Sequence, residues 1–224
     1  MTGGWRLVLR PSTSLPPMAW VLRARPPVAE LTFGQSVRPS DAGVFEGTWV
    51  GDAGELGPLR SATTFGSGVL LDGEDGEALH IIPPGHMLEG VYLRRRREEL
   101  IAANSLVGLI AAAGLDLDPN VSYPPLFNES VDGVMHTTIP TTTDPIEAHF
   151  HDNMRLDLDG RLTAVSKPRE KPFANFADYR RRLYDALASA LPTRRRSSRP
   201  SPSHRVTTAP QLRCSHLNSA ADGL

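Results

Sequence analysis

Short apolar stretches, several of them β-branched, recur along the first half of the chain at residues 5–9, 19–22, 44–45, 68–71, 79–82, 91–93 and 100–103. Glycine and proline clusters separate several of them, and this spacing predicts strands packed as antiparallel sheets. The charged run Arg94–Arg97 with Glu98 reads as the turn of a hairpin joining the last two stretches. Asn104 or Ser105 then caps a short helix that ends at Gly114, where glycine tolerates the left-handed backbone that closes a helix. Residues 148–156 and 162–165 read as extended and flank Asp159-Gly160, a strong hairpin signal. The clearest helix covers residues 176–191, where Phe176, Tyr179, Leu183, Leu187 and Leu191 keep one face apolar. Asn175 is placed to cap it and Pro192 to stop it. The expected class is α+β, stacked antiparallel sheets with few helices.

Composition divides the chain in two. Of its 224 residues, 20 are Pro and 19 are Gly, more than packed elements alone require. The net charge of −1 conceals six arginines against one acid in residues 193–224, and 18 basic against 24 acidic side chains before them. That Arg-, Ser- and Pro-rich segment has few large apolar residues to offset ordering entropy, so a disordered tail is expected there. One cysteine, Cys214, forms no internal disulfide and fits a reducing compartment. The longest apolar run, residues 106–113, is far shorter than the roughly 20 residues that cross a bilayer, so the chain is expected to be soluble and cytoplasmic, with no membrane partner.

Candidate chemistry is sparse. His149 and His151 stand two apart, which on a strand turns both imidazoles to one side, and Glu147 or His136 would complete a divalent-metal site. The favoured reading is a hairpin face whose histidines bond to neighbouring groups, so no metal residue is assigned. The arginine runs at 94–97 and 194–196 are phosphate-binding candidates, but short runs beside acids are usually solvated turns, and the acidic body argues against nucleic acid. Gly66-Ser67-Gly68 reads as a tight turn, since it lacks the strand and helix that flank a phosphate loop. The sequence has no G-x-S-x-G, H-E-x-x-H, Walker or dinucleotide fingerprint, so no catalytic or cofactor residue is assigned.

The order of segments resembles the N-terminal domain of asparagine-synthetase-like proteins. Residues 91–110 look like that domain's strand, hairpin and short helix, residues 153–163 like a later hairpin, and residues 176–187 like the helix leading into the synthetase domain. With Phe45-Glu-Gly-Thr-Trp49 and Phe65-Gly-Ser-Gly68 the likeness covers about residues 5–191. It implies an N-terminal-nucleophile-hydrolase-like fold over residues 1–172, a linking helix at 173–192, and a synthetase partner domain using ATP and Mg. The departures are chemical. The family's glutaminases need a cysteine directly after the initiator methionine, where its thiolate attacks glutamine and its own α-amine serves as base; here Thr2 takes that place. The Asn-Gly-Glu segment that supplies the oxyanion site is not recognisable either. The domain is therefore expected to be a degenerate scaffold without glutaminase activity. A Thr2-dependent hydrolase and a stand-alone small-ligand or metal-binding module are the other two readings.

The genetic code adds an observation about residues 193–224. Reading each codon's third base with the next codon's first two, the junctions from Pro200 to Ala209 permit Val-Ala-Ile-Ser-Ser-Gly-Tyr-Asp-Ser. That is a variant of the Ser-Gly-Gly-x-Asp-Ser loop that cradles ATP pyrophosphate, where the family expects it. The tail is accordingly expected to be an out-of-frame product, in which case Cys214, His204, His216 and the tail arginines have no selected role; the alternative is a natural disordered tail.

Overall fold

The computed structural model describes residues 3–51, 54–73, 76–86, 88–124, 128, 132–169 and 172–196. The tail from residue 197 onward, with the loop read across its frame, and Thr2 lie outside these residues. Alternating apolar residues build the first hairpin, β2 (Trp20–Arg25) and β3 (Val28–Phe33), with β1 (Arg6–Pro11) alongside β3. Then come β4 (Arg38–Ser40), β5 (Gly43–Phe45), β6 (Thr48–Trp49), α1 (Gly57–Arg60), β7 (Thr64–Phe65), β8 (Gly68–Asp72) and β9 (Ala78–Ile82). The charged hairpin β10 (Val91–Arg96) and β11 (Glu99–Ala103) forms as expected and feeds α2 (Leu106–Ala113). Both ends of α2 match its sequence signals: the Ser105 side chain accepts from the Gly108 N–H, and Gly114 takes φ 62°. The chain continues through β12 (His136–Ile139), β13 (Ile146–His149), β14 (Asn153–Asp157) and β15 (Leu162–Val165) to α3 (Phe176–Arg196).

Two sheets stack face to face. A seven-stranded sheet runs β1-β3-β2-β11-β10-β13-β12 and a six-stranded one β15-β14-β9-β8-β5-β4. Side chains alternate across each strand, so Trp20, Leu22, Leu31 and Leu93 of the first sheet meet Val69, Leu79, Ile81 and Leu156 of the second in one interior. The outer face of the first sheet, with Ile101, Ile146 and Ala148, is covered by Leu109 of α2. Phe45, Leu70 and Ile82 on the outer face of the second pack against Trp49, Leu56 and Leu59. The result is helix, sheet, sheet, and a small helix with a two-stranded ribbon.

Three expectations need correction. The first sheet is not wholly antiparallel, because β2 folds back onto β3 and leaves β1 to pair with β3 in parallel. Residues 148–156 are not one strand: β13 belongs to the first sheet and β14 to the second, and the chain crosses between them at residues 150–152. Phe150 stays buried under the first sheet's outer cluster while Met154 and Leu156 enter the interior, so the two halves satisfy different cores. Finally, α3 runs on past Pro192 to Arg196, although Pro192, lacking an N–H, cannot make the helical bond to the carbonyl four residues back.

Candidate functional site

β12 and β13 lie at the open edge of the first sheet, antiparallel, with His136 directly opposite His149 and Thr138 opposite Glu147. Glu147 and His149 are two apart, so both share a face with His136. Glu147 Oε2 is 3.4 Å from His149 Nε2 and 3.9 Å from His136 Nε2, and the two imidazole centroids are 4.5 Å apart. Arg95 reaches across from β10 and donates from Nε to Glu147 Oε1 at 2.9 Å, with a second nitrogen at 2.7 Å. The hydrogen bond with His149, then that with Arg95, holds the Glu147 carboxyl down at about 2. Partial burial, reinforced by His149, lowers the His136 imidazole below its ordinary 6.5. The two side chains are thus carboxylate and neutral imidazole near pH 7.

Of the metal candidates considered from sequence, His149 and His151 with Glu147 or His136, the structure brings together His136, Glu147 and His149 and leaves His151 out. His151 sits in the bend beyond β13 and is not among the three residues whose ligand atoms converge within 4.8 Å. His136 replaces it, brought in by a strand pairing that the local spacing does not reveal. Arg95, Arg96 and Arg97 are exposed, as a solvated hairpin end requires, and only Arg94 departs from that reading. Arg94 is buried and its guanidinium lies 2.6 Å from Asp144, while Arg95 is committed to Glu147.

A second constellation, not anticipated as a site, lies where β2 and β8 begin. A cavity of about 460 Å³ is lined by Pro17, Met18, Glu46, Ser67, Gly90 and Asn104, among others. Glu46 and Ser67 are buried, and Glu46 Oε1 accepts from both the Ser67 N–H and its hydroxyl at 3.0 Å. Trp20 Nε1 donates to the same hydroxyl at 2.9 Å, and Asn104 joins Met18 to Trp20 through its side-chain amide. Burial raises the Glu46 carboxyl above its ordinary value, opposed by the two Ser67 bonds. Gly66 makes the approach of the two strands feasible: at φ 135° a side chain is strained, and a Cβ would run into the Glu46 carbonyl. Ser67 is only 1% exposed and its hydroxyl is already bonded twice, so this network braces the strand starts and is closed to a nucleophile's role. Sequence signals for it existed only as the two turns, Phe45-Glu-Gly and Gly-Ser-Gly.

No protein-family model, curated protein or solved structure matches the chain. Among the described residues no helix is long and apolar enough to cross a membrane.

Proposed function

We propose that residues 1–192 are the N-terminal domain of an asparagine-synthetase-like, ATP-dependent amidotransferase. In this proposal the domain is a glutaminase-type scaffold that has lost its chemistry, and its partner is a synthetase domain encoded in the shifted frame. The observation that carries the proposal is α3. It follows the two sheets as a linking helix should, yet Phe176, Tyr179, Leu183 and Leu187 remain exposed, from 40% at Leu183 to 74% at Phe176. Such a stripe on a helix belongs against another apolar surface. The layering of α2, two sheets and the α1 ribbon is the supporting feature.

ATP and Mg belong to the partner in this proposal, and the described residues do not fit them. The Gly66-Ser67-Gly68 turn already directs the Ser67 N–H and hydroxyl to Glu46, leaving neither for a phosphate. No glutamine hydrolysis is expected of the chain alone, because Thr2 stands where the family's glutaminases need a cysteine nucleophile.

The expected behaviour of the whole chain is self-association through the stripe, seen by sedimentation velocity at tens of micromolar. Leu183→Glu with Leu187→Glu should restore a monomer, with the melting temperature unchanged to within a few degrees. A monomeric parent chain with one sharp melt would overturn the docking role.

A further inference from the structure

We propose that His136, Glu147 and His149 form a three-ligand site for a divalent transition metal, with zinc, which accepts two imidazoles and a carboxylate with an open fourth position, as the probe, and with Arg95 as the residue that positions the carboxylate. Nothing in the scaffold reading requires this site, and it stands or falls independently.

Strand pairing supplies the geometry. Because His136 faces His149 across the ladder and Glu147 lies one pleat along on the same face, the three donors come together from two strands without any loop having to order. In tetrahedral zinc, with bonds of about 2.0–2.1 Å, neighbouring donor atoms stand roughly 3.3 Å apart. Glu147 Oε2 already lies 3.4 Å from one imidazole nitrogen and 3.9 Å from the other, and all three ligand atoms lie within 4.8 Å of one another, a spread that binding would have to draw in. The carboxylate divides its work. Arg95 occupies Oε1, which leaves Oε2 directed at both rings and fixes the carboxylate plane. A guanidinium in that place is the outer partner that orients a metal-bound carboxylate.

Access also fits. His136 is half exposed, whereas Glu147 and His149 are about four-fifths covered, with side-chain values of 50%, 21% and 17%. An ion held there meets protein on one side and solvent on the other. The fourth position is then filled by water or by an exchangeable small ligand, as in sites with three protein donors.

The experiment is calorimetric titration of the whole chain with zinc chloride, followed by Co²⁺ substitution and visible absorption. One-to-one binding is expected, with the d–d bands of a four-coordinate cobalt ion. His136→Gln, His149→Ala and Glu147→Gln should each weaken binding by at least about tenfold, and Arg95→Met by about tenfold through lost orientation. His151→Ala should leave the affinity unchanged, and circular dichroism should show every variant folded. Absence of heat with zinc would overturn the proposal. So would binding that survives the His136→Gln/His149→Ala double change, because the ion would then sit elsewhere, or binding that His151→Ala abolishes.

Discussion

Lys167 shows how a single buried charge sets the response of this chain to pH. The residue is 4% exposed, its ammonium donates to the Pro83 carbonyl at 3.0 Å and to Asn153 Oδ1 at 2.7 Å, and burial lowers its pKa from 10.5 to about 8. Between those two values the unfolded chain binds the extra proton and the folded one does not, so stability rises with pH across the window. The shift corresponds to roughly 3 kcal/mol at most, at about 1.4 kcal/mol per unit. Urea unfolding between pH 8 and 10 should show that rise in the parent, and Lys167→Met should flatten it while lowering stability overall. Equal slopes would place the lysine in water. Nothing in the local sequence announces this residue, because its partners lie 14 and 84 positions away. The Glu46–Ser67 pair is hidden in the same way, at a separation of 21.

Elements were legible where their signals are local. The caps of α2 and the charged β10–β11 hairpin follow from residues within a few positions of each other. At the start of α3, Asn175 accepts from the Asp178 N–H while Asp178 accepts from the Ala174 N–H, a reciprocal cap whose first half was readable from Asn175. Gly114 offers a clean check, since its φ is positive and nothing stands within 4 Å of an added Cβ. Gly114→Ala should therefore cost only backbone strain, about 1–2 kcal/mol, measured by chemical denaturation. An unchanged midpoint would mean α2 ends differently. What stayed hidden is pairing. The strand β12, His-Thr-Thr-Ile, is too polar to stand out, yet it supplies the histidine that makes the edge cluster. Val28–Phe33 does alternate in burial, but the Pro26-Pro27 turn before it has none of the usual hairpin glycine signature. Residues 148–156 carry an unbroken extended pattern, and only the existence of two sheets explains why they divide at the bend.

At the scale of the molecule, the two stacked sheets form a closed interior, while α3 stands with its apolar stripe open to solvent. Sequence alone conveyed the β-rich class and the stripe. It did not convey that α2 and the α1 ribbon cover opposite outer faces, because that arrangement depends on which strands pair. Among the described residues the apolar stripe of α3 has no covering surface, and the proposed role assigns that cover to a further domain. The change in charge and composition after residue 192 is the sequence feature from which an interruption at that point is proposed. The most direct measurement is the DNA sequence from codon 192 to several hundred bases beyond the stop, read in the shifted frame. The account requires that frame to stay open and to spell a Ser/Gly-rich, Asp-Ser pyrophosphate loop followed by a synthetase domain. A frame that closes within a few dozen codons would contradict it and leave the chain as a self-standing module.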